Sequence, residues 1–245
     1  MSRSLLLAFM TFSLVLLSSG CGGGGSSSSS TTGSLDFKTS ATYDLSQYIV
    51  PTQNQVSTFL ERTYTDDSGN KTYDSIPTQE SDTTQEYRVG NNSVETYENG
   101  NLDTTYTITQ TAITQTATDY VAEIVRYADM NDPIANTVID IPLETLSGDS
   151  QMPLSCRLAG HVDSKTVHTK TFDDVIMISC KGFSSSDITY ENIPMSVDVT
   201  LTLTSYYAKN LGEIGSIEET CYTINSTQTS VRQCTKTVSE IASIL

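Results

Sequence analysis

Tryptophan is absent from this 245-residue chain, histidine occurs only at positions 161 and 168, and 13 basic residues face 29 acidic ones. The shortage of Lys and Arg excludes a nucleic-acid partner, because displacing phosphate counterions takes clustered cations. It also excludes docking on anionic lipid through a basic face. An acidic surplus of this size keeps a domain soluble. No two cysteines stand in a CxxC spacing, and neither His161 nor His168 completes a finger-like pattern, so no metal site is expected. GxSxG, HExxH, Walker and dinucleotide-binding motifs are all missing, which points to no enzyme class and no cofactor.

Residues 5–17 form a largely apolar stretch behind Arg3, too short to span a bilayer but suited to the hydrophobic region of a cleaved signal. The stretch ends in Leu17-Ser18-Ser19-Gly20-Cys21. Small residues directly before a cysteine resemble the lipobox of bacterial lipoproteins, although Ser18 stands where an aliphatic residue is usual and Leu17 lies one position further out. In that family the cysteine thiol is acylated with diacylglycerol and becomes the mature N-terminus. The resemblance implies a signal peptide over residues 1–20 and lipidation at Cys21. Gly22 in place of aspartate implies, by enteric-type sorting, the outer membrane. Residues 22–34 contain only Gly, Ser and Thr and read as a flexible tether with a reach of roughly 20 Å. The folded part, residues 35–245, is long enough for one sizeable core and has no interior linker.

Four further cysteines, Cys156, Cys180, Cys221 and Cys234, read as a disulfide framework in an exported chain. Three connectivities are possible. The pattern favours two local hairpins: pairing Cys156 with Cys180 sets Leu158 opposite Ile178 on the same face, and pairing Cys221 with Cys234 sets Ile224 opposite Val231 with Thr227-Gln228 at the turn.

Period-two alternation dominates the rest. Residues 197–204, Val-Asp-Val-Thr-Leu-Thr-Leu-Thr, put four aliphatic side chains on one face and four polar ones on the other. Those aliphatics must pack a closed core or line a groove. Asn99-Gly100 is a strong hairpin signal that places Tyr97 opposite Leu102, and residues 66–70, Asp-Asp-Ser-Gly-Asn, read as another hairpin loop between Tyr64 and Tyr73. Eight threonines between positions 104 and 118 favour strand over helix. Residues 119–129 fit a short amphipathic helix capped by Thr118 or Asp119, but their β-branched content and setting favour strand. Residues 239–245 suit a short helix or a last strand. The expectation is an all-β or mainly β domain of about nine to twelve short antiparallel strands: a sandwich, a barrel or a curved half-barrel.

Two segments, residues 171–180 (Thr-Phe-Asp-Asp-Val-Ile-Met-Ile-Ser-Cys) and residues 206–218 (Tyr-Tyr-Ala-Lys-Asn-Leu-Gly-Glu-Ile-Gly-Ser-Ile-Glu), resemble a strand and a turn of bacterial envelope lipoproteins without an agreed activity. The resemblance implies a large curved antiparallel sheet reminiscent of lipoprotein-carrier half-barrels. Asn210 replaces the usual glycine of that turn, and asparagine tolerates the left-handed conformation.

The remaining chemistry is sparse. Asp173-Asp174 and Glu218-Glu219 are adjacent carboxylates, but neighbours on a strand face opposite ways, so neither pair can act together as a glycosidase would require. Asp66, Asp67, Ser68 and Asn70, or Asp129, Asn131 and Asp132, offer oxygens to calcium without EF-hand spacing, and turn formation explains them. Thirteen tyrosines suit a binding face, yet most fall at strand positions where cross-strand packing accounts for them. The function expected is a non-catalytic envelope lipoprotein that binds the membrane through its anchor and an apolar or amphipathic ligand, or an envelope protein. The alternatives are a structural or adhesive surface module and a carboxylate-based hydrolase.

Overall fold

The computed structural model describes residues 41–118, 120–142, 149–190, 193–226 and 229–245. Within them the chain is almost entirely antiparallel strand. A short N-terminal segment holds β1 (Tyr43–Asp44) and the single-turn α1 (Ser46–Ile49). Next come β2 (Gln55–Asp66), β3 (Gln79–Val89), β4 (Ser93–Glu98), β5 (Asn101–Ile108), β6 (Ala112–Ala117), β7 (Val121–Val125) and β8 (Tyr127–Ala128). The second half is β9 (Pro133–Pro142), β10 (Asp149–Val167), β11 (Lys170–Tyr190), β12 (Ile193–Ala208), β13 (Gly212–Ser226) and β14 (Ser230–Ile244).

Twelve of these strands form a closed barrel in which each pairs with its neighbours in sequence, β1 and β8 forming a separate two-stranded ribbon. Closure comes from β14 pairing with β2, with Ile241 opposite Phe59, and from the contact of β7 with β9 at Ile124 and Ala135. Register shifts between Leu158 and Gly160, Tyr206 and Tyr207, and Ile241 and Ser243 supply local bends, and bulges of this kind curve a sheet toward closure. Strands β10 to β14 run 15 to 21 residues, longer than the short strands expected.

The local readings are confirmed in detail. Cys156 pairs with Cys180 and Leu158 with Ile178; Cys221 pairs with Cys234 and Ile224 with Val231; both disulfides are formed. Thr227 and Gln228 lie outside the described residues. Tyr97 stands opposite Leu102, and Asn99 and Gly100 both take positive φ (50° and 84°), as a tight hairpin turn requires. Asn210 adopts φ 65°, the left-handed conformation its position demands. Residues 121–125 and 127–128 are strand, as is the C-terminal segment. The hairpin after β2 differs from expectation: the second strand begins at Gln79 and not near Tyr73, and the intervening loop folds back over β13. There Tyr73 Oη donates to Glu219 Oε2 at 3.0 Å and Lys71 pairs with the same carboxylate.

The outward positions of β3 and β12 are polar, whereas Leu102, Val121, Val138, Phe183 and Val231 are exposed apolar residues on other strands. On β3 the outward positions are Glu80, Asp82, Thr84, Glu86 and Arg88, alternating with inward Thr83, Gln85 and Tyr87. On β12 they are Asp198, Thr200, Thr202 and Thr204. A barrel embedded in lipid needs an outward apolar band, and an Arg or Lys at mid-membrane depth costs roughly 2–4 kcal/mol. The outward faces of β3 and β12 do not supply such a band.

Candidate functional site

An eight-stranded barrel is just wide enough for its own side chains to fill. Twelve strands enclose more space, and this barrel uses it in two ways. One end is plugged by the segment that carries α1, where Leu45, Tyr48, Ile49 and Val50 are all buried. The rest of the lumen keeps a cavity of about 230 Å³.

The plug is tied to several strands at once. Asp44 receives two hydrogen bonds from the Arg126 guanidinium, Nε to Oδ1 and Nη2 to Oδ2, both 3.0 Å. Its Oδ1 also accepts the Ser46 N–H at 3.1 Å, an Asx-type turn at the entry to α1. Across the mouth, Asp174 Oδ1 accepts the Tyr48 hydroxyl at 2.8 Å and lies 2.9 Å from His161 Nε2, while its Oδ2 accepts Lys209 Nζ at 3.0 Å. Partial burial works to raise the pKa of each carboxylate, but the hydrogen bonds outweigh it and both lie below the ordinary value. His161 and Asp174 thus anchor the plug, and the Tyr43 ring packs 5.3 Å from the imidazole. His168 sits in the β10–β11 turn with φ 52°.

The cavity lining mixes aliphatic and polar side chains. Met152, Leu154, Ile178, Val199, Leu201 and Leu203 supply its apolar part, with the Cys156–Cys180 disulfide beside them. The alternation at residues 197–204 therefore serves both ends that were open to it: Val197 is core, and the next three aliphatics face the cavity. Polar groups line the same cavity: Tyr87, Tyr106, Tyr120, Tyr207 and Tyr222 with the carboxylates Asp103, Glu213 and Glu218, Tyr222 and Glu218 standing in register beside Val199 and Leu203. None of the described lining residues is Lys, Arg or His. Burial pushes the Tyr106 and Tyr207 hydroxyls far above their usual pKa, and nearby Glu213 adds to the shift in both. Tyr222 is pushed up to about 12, by burial and then by Glu218. Glu218 itself is raised, chiefly by burial, with Glu61 adding and a hydrogen bond from Thr220 opposing. The buried Tyr222 hydroxyl has no hydrogen-bond partner among the described residues.

The two disulfides lie on opposite faces. Glu218, Thr220 and Tyr222 face the lumen, so Cys221 between them faces out, and its bond to Cys234 is buried beneath the loop after β2 at Gly69. The same alternation separates Glu218 from Glu219, which the loop engages from outside. At Asp66 the carboxylate serves the turn, accepting the Ser68 N–H at 2.9 Å and the Thr72 N–H at 3.0 Å. Asp132 accepts the Asp129 N–H at 3.0 Å in the same manner. Among the described residues no three His, Cys, Asp or Glu side chains converge as a metal cradle. Cys21, the signal and the tether lie outside the described residues.

Sequence reasoning assigned the tyrosines to cross-strand packing and so missed the polar lining. A signal for it was present: Ser216, Glu218, Thr220 and Tyr222 make one uninterrupted polar face, while Ile217 and Cys221 interrupt the other, so an inward turn of the first face lines something other than a dry core. No known family, curated protein or solved structure matches the chain. The reading of the site rests on its geometry and chemistry.

Proposed function

We propose that the protein is a non-catalytic lipoprotein of the bacterial envelope, held at a membrane by acylated Cys21 on the Gly/Ser tether, whose barrel lumen binds a small amphipathic ligand. The observation that carries the binding role is the cavity itself, about 230 Å³ and lined by aliphatic side chains together with tyrosines and carboxylates. Ligand pockets are commonly apolar with a few polar groups that fix orientation. Size narrows the class: a cavity of about 150 Å³ takes a benzene ring, so this one suits a body of roughly nine non-hydrogen atoms. Whole phospholipids and acylated proteins are too large for it.

The polar outward faces of β3 and β12 support anchoring through a lipid on the tether and not through the barrel. Two measurements test the reading. Organic extraction of protein purified from its own membrane, followed by mass spectrometry, should release a small amphiphile in a fixed molar ratio; a clean extract from folded protein that also fails to bind added hydrophobic probes would refute the binding role. Cys21→Ser should move the protein into the soluble fraction, and retention at the membrane without the thiol would refute the anchor.

A further inference from the structure

We infer that the ligand enters and leaves the lumen through the side wall of the barrel, between β7 and β9. This rests on the reading of the lumen as a ligand site and supplies its entrance. β7 is in register with β6 along its whole length, Val121–Val125, and β9 with β10 from Pro133 to Pro142. With each other, among the described residues, the two strands register only at Ile124 and Ala135. One side-chain hydrogen bond, from Thr137 Oγ1 to the Val121 carbonyl at 3.3 Å, adds to that pair. Even the shorter seams elsewhere are continuous, as at Gln85–Val89 against β4 and Thr104–Ile108 against β6. A wall opens locally where the fewest ladder bonds must break, and that place is the β7–β9 seam.

The cavity lies directly behind it. Ala122 and Ile124 of β7 and Ala135 and Thr137 of β9 line the lumen. Side chains alternate across a strand, so their alternates face out, and Val121, Val125 and Val138 are 63 %, 40 % and 50 % exposed. Apolar side chains therefore stand on both sides of the same weak seam. Ala122 and Ala135 carry only a methyl group, so parting the strands displaces little bulk. The ends offer no comparable route. The α1 segment fills one, tied down through Asp44 to Arg126 and through Tyr48 to Asp174. Toward the other, Val197, the next inward residue of β12 beyond Val199, is buried, and Met152 is packed so closely over Gly182 that a Cβ there would lie 2.7 Å from its sulfur.

The test locks the seam and times the ligand. Continuing the register from Ile124 and Ala135 sets Val121 opposite Val138 and Glu123 opposite Asn136. Val121→Cys/Val138→Cys, bridged by a short thiol-specific cross-linker and verified by peptide mapping, closes the seam; Glu123→Cys/Asn136→Cys is the second lock if the first fails to fold. Thr105→Cys/Thr116→Cys, bridged across β5 and β6, is the control. Indole is the probe, because a chain without tryptophan leaves its fluorescence unobscured. Stopped-flow mixing should show entry and release both slowed at least roughly ten-fold by the seam lock, since the ligand must then wait for a costlier opening, and unchanged by the control. Kd should stay the same, because the lock alters the barrier and not the bound state. Unchanged rates in seam-locked protein, or equal slowing by the control, overturn the lateral entrance while indole binding preserves the lumen as a ligand site. Failure of indole and 1-octanol alike to bind the folded, uncross-linked protein overturns both.

Discussion

Leu158 and Leu201 provide a paired test of whether the lumen is hollow. Both are inward-facing leucines of the same sheet, but Leu158 is 0 % exposed and lies outside the cavity lining, whereas Leu201 is 8 % exposed and lines it. Truncating either to Ala removes three carbons from an apolar setting, about 2.4 kcal/mol at roughly 0.8 kcal/mol per methylene. At Leu158 a new void adds to that loss. Leu→Ala changes in well-packed cores span about 2.7–5.0 kcal/mol, the spread tracking the void left behind, so Leu158→Ala should cost about 4 kcal/mol. At Leu201 one side already faces empty space, fewer contacts are lost and the cost should be about 2 to 3 kcal/mol. Urea unfolding followed by far-ultraviolet circular dichroism, with both disulfides intact, gives the two values. Leu201→Ala should also admit a larger hydrophobic probe, while Leu158→Ala should not. If Leu201→Ala costs as much as Leu158→Ala and changes no probe binding, the lumen is packed and the hollow-barrel reasoning fails.

Non-reducing peptide mapping should link Cys156 to Cys180 and Cys221 to Cys234; replacing either pair by Ser should cost about 3 kcal/mol, slightly more for the 24-residue span than for the 13-residue one, and a Cys180–Cys221 peptide would contradict the barrel register. Acid should release the plug before it unfolds the barrel. Asp44 and Asp174 have folded pKa values below their unfolded ones, so their stabilisation is present above about pH 4 and is lost as pH falls through the depressed values. Amide protection at Leu45, Tyr48 and Ile49 should therefore drop selectively as pH falls below about 4, and protection unchanged from that at pH 6 would remove these carboxylates as anchors. Asn210→Gly should be close to neutral and Asn210→Val should cost about 1–2 kcal/mol, because φ 65° penalises a β-branched side chain; equal stability of the two variants would show that the turn relaxes to another conformation.

Hairpin-scale structure was legible in the sequence because its causes are local. The disulfide registers follow from the period-two rule applied to Cys156, Leu158, Ile178 and Cys180, the tight turn at Asn99-Gly100 from residues that accept positive φ, and the strand at residues 197–204 from simple alternation. The opposite orientations of Glu218 and Glu219 came from the same rule. The sequence also held a trace of the site, in the alternate polar positions Ser216, Glu218, Thr220 and Tyr222 of β13, though nothing said which face would turn inward.

Tertiary structure alone decided that the sheet closes. β2 and β14 pair across nearly the whole folded chain, and their meeting depends on the summed twist and bulges of ten intervening strands, a quantity no local pattern encodes. Closure then determined what lies inside. It gathered tyrosines from β3, β5, β12 and β13 and carboxylates from β5 and β13 around one space, and it required a stopper that the chain found in the buried Leu45, Tyr48 and Ile49 of a segment with little helical signal of its own. Alternation fixes which residues share a face; only the closed wall makes that face an interior, where burial raises the pKa of Glu218 and of the lumen tyrosines.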